Sequence, residues 1–401
     1  MSAVRAIFFL LLIAVSAPAG AVLVGVDIEG VEGELRDNVR KRLGIVTVVG
    51  EPDVPDSHVA WLHRKAEQQI RAALEPFGYY GPDVTSKLEE TDKGLKATYR
   101  IEPGQPVRVT DIAVELEGPG KDDRALKRAV SDFPLKKGDV LDHRRYESGK
   151  RNIGSLLSER GYFDAELATH RVVVEPEALS AEVRLHWKTG PRYAMGPVQF
   201  DGGQFSEDFL MRFVTFERGR PFEQTKLVEL QRTLLDTDYF AHVGVEAVRD
   251  STEDGQVPVR VTLTPRKRDV YSAGVGYGTD SGFSVQGGYQ RRWVNRRGHR
   301  FRANGVIAQR RKDLSVQYEI PVRRNNIREY ALGVDLVDEE TDNVERTGAT
   351  ASASQAATWH GWDRVISLNL LRERFQLGPE AERDALDDKQ NACLLYTSDA
   401  A

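Results

Sequence analysis

The chain is poor in the residues that most often declare a chemistry. One cysteine in 401 residues, Cys393, allows no intramolecular disulfide and no thiolate metal cluster. The eight histidines are scattered, with neither an H-x-H nor an H-E-x-x-H pair, so no histidine metal centre can be assembled from sequence. There is no excess of positive charge: 56 Lys and Arg stand against 61 Asp and Glu, net −5, without a sustained basic stripe in either half. That argues against a nucleic-acid partner. Long apolar runs are absent as well. Only Ala6–Val15 is almost wholly apolar, short of the ~20 residues that a spanning helix needs. Two short motifs look chemical and fail on context. Gly278-Thr-Asp-Ser281-Gly282 is spaced G-x-x-S-G with no strand-to-helix turn around it, and reads as a hairpin turn. Gly274-Val-Gly276-Tyr-Gly278 has no helix after it, so it is not a dinucleotide loop. The carboxylates are dispersed, and no acid/base pair stands out. The expectation is a non-enzyme with no catalytic residue, no cofactor and no metal.

What is present begins with an export signal. Arg5 precedes the apolar Ala6–Val15, and Ala17-Pro-Ala19 and Ala19-Gly-Ala21 offer small-residue cleavage sites; cleavage after Ala21 is expected. The remaining length suits about two to four domains. An exported, disulfide-free chain that turns glycine-rich and alternating toward its C-terminus suits a Gram-negative periplasm or outer membrane.

Three times an apolar strand ends in apolar-acidic-Gly: Ile28-Glu29-Gly30, Leu116-Glu117-Gly118 and Phe200-Asp201-Gly202. A short amphipathic helix follows each, carried by Leu35/Val39/Leu43, by Leu126/Ala129/Val130/Phe133, and by Phe209/Leu210/Phe213/Val214. Ser206 is the expected N-cap of the third, its hydroxyl accepting an amide of the first turn. A second helix then stops at an aromatic pair: Gly78-Tyr79-Tyr80, Gly161-Tyr162-Phe163, Asp238-Tyr239-Phe240. The residue before each pair needs a left-handed C-cap, which Gly tolerates best and Asp less readily. The aromatics are expected to pack back on the sheet. Two strands close each unit, as in the alternating Ala181–Trp187, and Gly104 and Gly190 turn into the next repeat. Strand-helix-helix-strand-strand at a spacing of roughly 80 residues marks tandem small domains, at 22–104, 105–190 and 191–266, with short linkers that should couple neighbours.

After Arg266 the period changes from helical to two. Tyr271, Ala273, Val275 and Tyr277 alternate with Ser272, Gly274, Gly276 and Gly278; Phe283, Val285 and Tyr289 alternate with Ser284, Gln286, Gly288 and Gln290. A soluble sandwich and a membrane barrel share this pattern at one hairpin, so the surroundings decide. Between 270 and 372 about seven such strands follow one another with polar turns, the signature of an outer-membrane barrel. An odd, small number of strands cannot close one. The region 267–376 is therefore expected to be the N-terminal part of a barrel. Residues 377–401 are expected to be a charged loop followed by an end, from Asn391, that resembles no barrel strand and reads as non-native.

Leu74-Glu-Pro-Phe-Gly-Tyr-Tyr80, Arg160-Gly-Tyr-Phe-Asp164, Thr189-Gly-Pro-Arg-Tyr193 with Gly196-Pro-Val-Gln-Phe200, and Gly274–Asp280 running into Trp293-Val-Asn-Arg-Arg-Gly-His299 together carry a resemblance. Residues 22 to 376 resemble the outer-membrane assembly-factor superfamily, with polypeptide-transport-associated (POTRA) domains before a β-barrel. Within it the chain is most similar to the TamA family, on the count of three repeats. The resemblance implies an α+β fold of three β-α-α-β-β POTRA domains and the first part of a transmembrane antiparallel barrel. It implies insertion of a subset of outer-membrane proteins, autotransporters among them, with a TamB-like inner-membrane-anchored partner. Transport of outer-membrane lipid, or a periplasmic scaffold anchored by a barrel, are the alternatives. Clients would be captured by strand addition and inserted through a laterally opening seam. On that reading Val270, Ser272, Gly274, Gly276 and Gly278 form the gate strand, weakened by its glycines. Val243 and Val245, in the alternating Ala241–Arg249, form a docking edge for client or partner; burial by neighbouring strands is the competing reading.

Overall fold

A computed structural model describes residues 22–252, 254–279, 282–324, 327–340, 344–359, 362–377 and 388–400. The signal segment with Ala21, and the turn residues Asp280 and Ser281, lie outside the described residues. One compact unit runs to Ser158 and takes in Tyr162–Pro191; the other comprises Glu159–Gly161 and the chain from Arg192 onward.

The first domain is β1 (Leu23–Glu29), α1 (Gly33–Arg42), α2 (Asp56–Leu74), β2 (Asp83–Thr91) and β3 (Gly94–Glu102). The second repeats it with β4 (Arg108–Glu117), α3 (Arg124–Ser131), α4 (His143–Glu159), β5 (Glu166–Glu175) and β6 (Ser180–Lys188). The third has β7 (Ala194–Gly202), α5 (Glu207–Leu210), α6 (Gln224–Leu235), β8 (Phe240–Ala247) and β9 (Gln256–Pro265). Each sheet has the same order, β1-β3-β2, β4-β6-β5 and β7-β9-β8, with the first strand parallel to the last. Parallel neighbours need a long crossover, which the helix pair supplies. The helices then cover one sheet face. Along β6, Ala181, Val183 and Leu185 are buried while Glu182 is exposed, as period two requires of a half-covered sheet.

One helix start is capped by a side-chain carboxylate. Asp123 accepts the amides of Ala125 (2.9 Å) and Leu126 (3.4 Å) at the start of α3, a cap that contributes ~1 kcal/mol. Ser206 differs from expectation. It occupies the N-cap position of α5, but its hydroxyl caps nothing; its backbone carbonyl accepts the Phe209 and Leu210 amides instead. The three left-handed positions are found as expected, with φ of 89° at Gly78, 84° at Gly161 and 64° at Asp238.

The aromatic pairs do not all return to their own sheet. Tyr79 packs on the first core, whereas Tyr80 packs against the second. Its hydroxyl lies 2.6 Å from His143 Nε2. The Val107 amide donates to the Gly78 carbonyl at 2.8 Å. A Cβ on Gly78 would stand 2.6 Å from the Leu141 carbonyl oxygen, so only glycine fits beneath the second domain. Arg144 pairs with Glu34 at 2.9 Å and lies 4.1 Å from the Phe77 ring centroid. These contacts join the first two domains within one unit. In the second pair Tyr162 is buried and Phe163 half-buried.

Burial lowers the pKa of His63, which sits 2.9 Å from the Tyr99 hydroxyl, and of His143, where nearby carboxylates only partly oppose it. Both therefore stay neutral in the fold and protonate near pH 6.5 once unfolded. Their stabilising contribution is complete above about pH 6.5 and is lost as pH falls toward the lowered folded values. The urea midpoint of Val22–Arg266 should fall on acidification below about pH 6.5, and His63→Gln with His143→Gln should flatten that slope. The same segment should be monodisperse and mixed α/β without detergent, because each domain has its own covered core. Recovery only in detergent or as aggregate would contradict this.

From Asp269 the chain forms one antiparallel sheet. Its strands are β10 (Asp269–Gly278), β11 (Gly282–Arg291), β12 (Arg300–Ala308), β13 (Arg311–Arg324), β14 (Ile327–Glu340), β15 (Val344–Trp359), β16 (Trp362–Leu377) and β17 (Asp388–Ala400). They pair strictly in chain order, leaving β10 and β17 at the two edges. Two readings change. The seven strands expected become eight, because Asp388–Ala400, read as the end of a loop and a non-strand tail, pairs with β16 from Phe375↔Asp388 to Asp363↔Ala400. The long open edge of β16 offers a ladder that a weakly alternating segment can complete. In addition β13 to β16 run 14 to 16 residues, longer than the 9 or 10 of β10 to β12.

Candidate strand-pairing edges and the domain–sheet junction

In β10 the apolar side chains are on one face and strongly exposed: Val275 is 84% and Tyr277 70% accessible. Tyr271 packs against Tyr289 at one end, and Tyr277 packs edge-to-face on Phe283 at the other. The two pairs are six residues apart on β10, about 20 Å at ~3.4 Å per residue, commensurate with the aromatic girdles that bound a lipid-facing band ~25 Å tall. The opposite face of β10 carries Ser272, Gly274, Gly276 and Gly278. A Cβ on Gly274 would lie 2.6 Å from Gln286 Nε2 and one on Gly276 3.0 Å from Ser284 Oγ. The glycines thus make room for polar side chains of β11, and β10 contributes almost no inner-face packing of its own.

The ladder register identifies which backbone groups of β10 are spare. Arg292 N donates to Arg268 O at 2.9 Å, and the pairing continues without a shift from Asp269↔Arg291 to Gly278↔Gly282. Antiparallel pairs alternate between bonded and non-bonded. Val270, Ser272, Gly274, Gly276 and Gly278 therefore bond to β11, while the amides and carbonyls of Tyr271, Ala273, Val275 and Tyr277 point to the edge. The sequence-picked gate residues hold the strand to its neighbour; the residues between them present the open edge.

The third domain has a second edge. β8 lies outermost in the β7-β9-β8 sheet. Val248 N donates to Pro258 O at 2.8 Å, so by the same alternation Gly244 and Glu246 bond to β9, and Val243 and Val245 face outward. The two differ in availability. Val243 has its side chain in the core, and its carbonyl already accepts Gln231 Nε2 at 2.8 Å. Val245 is half-buried.

A third cluster was not singled out by sequence reasoning. The buried Tyr239 donates from its hydroxyl to the Gly298 carbonyl at 2.5 Å, in the turn between β11 and β12. Gly298 has φ of 75°, and a Cβ there would overlap the Phe209 ring. Phe205 packs against Tyr239 (ring centroids 4.7 Å), Phe209 (5.0 Å) and Trp293 (6.2 Å). Asp238 bridges two arginines, Arg266 Nη1 at 2.6 Å and Arg292 Nε at 2.8 Å. Arg268 donates to the carbonyls of Trp293 (2.9 Å) and Val294 (2.7 Å), and Ser206 N to that of Arg296 (3.2 Å). The signal was present in the sequence: Asp238 stands where the other repeats place glycine, and a carboxylate at a left-handed cap invites a cationic partner. Among the described residues no group of three metal-ligating side chains occurs.

Residues 25–103 match a family model described as POTRA domain TamA domain 1, and residues 108–186 match the POTRA model described as surface antigen variable number repeat. The outer membrane protein assembly factor BamA of Buchnera aphidicola is 24% identical over 217 residues, which is 52% of this chain and 33% of that protein. BamA of Nitratidesulfovibrio vulgaris is 24% identical over 212 residues, 52% of this chain and 26% of that protein. The matched region thus spans a third or less of the curated relatives' length. The crystal structure of Haemophilus ducreyi BamA lacking POTRA domains 1–3 superposes with a TM-score of 0.58 at 16% identity, covering 73% of this chain and 58% of that one, a likeness of fold. Two segments of the chain thus match POTRA models, a third domain repeats their strand-helix-helix-strand-strand order, and the antiparallel sheet that follows is similar in fold to the sheet of the BamA structure.

Proposed function

We propose that the protein is a TamA-type outer-membrane assembly factor, which inserts a subset of outer-membrane proteins, autotransporters among them, in concert with a TamB-like partner anchored in the inner membrane. Its sheet lies in the outer membrane and its POTRA domains in the periplasm. The observation that carries the reading is the open edge of β10. Among the described residues it pairs with β11 alone, its other amides and carbonyls point outward, and it is short of inner-face packing. An unfolded client strand can pair there while its backbone leaves water, so that no polar group enters lipid unsatisfied. The step is an exchange of hydrogen-bond partners and makes or breaks no covalent bond; the protein is not an enzyme.

The β8 edge is the proposed docking strip for client or partner. Val245→Pro removes an outward amide without touching the bonds to β9, and proline is tolerated on an edge. The variant should keep its fold and lose partner capture in a pull-down with the periplasmic end of the TamB-like protein. Val243→Pro is a poorer test, since that residue also holds the core and Gln231. Undiminished capture by a folded Val245→Pro protein would remove β8 from the mechanism and favour a scaffold role for the repeats.

A further inference from the structure

The first domain carries two kinds of cation. Those of its sheet and of the C-terminal half of α2 are neutralised: Lys87 by Glu89, Lys96 by Asp27 at 2.7 Å, Arg100 by Glu29 at 3.2 Å and Arg71 by Glu67 at 2.9 Å. Lys41 and Arg42 in the last turn of α1, and Lys65 in α2, are exposed and make no ion pair or side-chain hydrogen bond among the described residues. Their helices place them along one groove. Asn38 Nδ2 donates to the Ala73 carbonyl at 2.7 Å, so Asn38 faces α2, and Lys41 and Arg42, three and four residues on, share that side. The Gly44 amide donates to Gln69 Oε1 at 3.0 Å, so Gln69 faces the end of α1, and Lys65 and Trp61, one and two turns earlier, share that flank. Trp61 is 47% accessible, and His58 stacks on its indole with ring centroids 5.8 Å apart. Of the neighbouring carboxylates, Asp56 begins α2 on its opposite side, Glu67 is held by Arg71, and Asp37 forms no ion pair with Lys41. The dipole of α1 accounts for cations in its last turn. It does not account for Lys65 in the middle of α2, or for an indole left in water beside it.

We propose that this groove docks an acidic segment of a partner protein, one that carries a bulky apolar side chain. Lys41, Arg42 and Lys65 meet its carboxylates, giving charge complementarity. Trp61, already held by His58, covers the apolar side chain, the anchoring role for which tryptophan is favoured at interfaces. A lipid surface fits less well. The apolar face of α2, with Val59, Leu62, Ala66 and Ile70, is buried in the core, so a single indole would be all that enters a bilayer. The inference goes beyond the proposed function and holds whether or not clients pair at β8 or β10.

The test uses the full chain in phosphatidylcholine nanodiscs and the fluorescence anisotropy of labelled peptides. One helical peptide is built from Glu, Ala and Leu; in a second Lys replaces each Glu, and in a third Ala replaces each Leu. The Glu/Leu peptide should bind about tenfold or more tightly than either of the others. Lys41→Glu with Lys65→Glu should turn the preference toward the Lys peptide. Trp61→Ala should lower the affinity for the Glu/Leu peptide to that of the leucine-free one. All three positions are exposed, so these substitutions leave the fold in place. Equal binding of the Glu and Lys peptides, or an unchanged preference in the charge-reversed variant, would overturn the site. Displacement of the Glu/Leu peptide by phosphatidylglycerol vesicles of matched anionic charge would overturn its assignment to a protein partner.

Discussion

Gly298→Ala is expected to loosen the third POTRA domain from the sheet while leaving both folded. Gly298 sits at φ of 75°, and its added Cβ would meet the Phe209 ring. An L-residue pays about 1–2 kcal/mol for the left-handed conformation. Overpacking against a buried ring costs a further ~1–3 kcal/mol. The turn would relieve both by moving, which breaks the Tyr239–Gly298 hydrogen bond and withdraws Trp293 from Phe205. A net loss of ~3 kcal/mol raises the open population by more than about a hundredfold. Limited proteolysis of the Arg266–Arg268 connection should accelerate accordingly, because cleavage follows the open fraction when closing is fast. Tyr239→Phe removes one hydrogen bond and should act in the same direction by only ~1 kcal/mol. Unchanged cleavage in Gly298→Ala would mean that the aromatic cluster does not hold the junction.

Paired proline substitutions in β10 are expected to separate edge use from strand stability. Ala273 directs its amide to the open edge, and Gly274 directs its amide to Gln286 of β11. Ala273→Pro should leave the β10–β11 ladder intact yet abolish client assembly, because the amide that pairs the incoming strand is gone. Gly274→Pro should instead cost a ladder bond, of the order of 1 kcal/mol or more, and lower the temperature at which the sheet unfolds in heat-modifiability gels. If Ala273→Pro assembles clients at the normal rate, the open edge is not where they pair.

Much of the fold was legible because it follows from local pattern. The spacing of Ile28-Glu29-Gly30 and its two echoes set the repeats, and glycine or aspartate before each aromatic pair marked the left-handed caps at Gly78, Gly161 and Asp238. The period-two stretch from Tyr271 separated the two faces of β10 correctly. What escaped depended on pairings distant in sequence. Whether Tyr80 faces its own sheet or the next domain is decided by His143, sixty-three residues away. Which β10 amides are spare is decided by register, so the gate residues chosen for their glycines proved to be those bonded to β11. Asp388–Ala400 carries too weak an alternation to be read as a strand without the edge of β16 beside it. Ser206 sits at the expected cap position, yet the backbone carbonyl meets the amides that its hydroxyl was assigned.

The most direct test of strand exchange at β10 is the rate of client assembly with the seam locked. Cys393 is first replaced by serine, and a cysteine at Ser272 or Gly274 is paired with one on whichever strand faces β10 in the membrane-assembled barrel. Oxidation ties the edge to that strand, and reduction frees it without altering any other contact. Assembly of an autotransporter client should stop in the oxidised protein and resume after reduction. Assembly at the unlocked rate by a fully oxidised barrel would contradict lateral opening at β10, and would leave its glycines a role only in making room for Gln286 and Ser284.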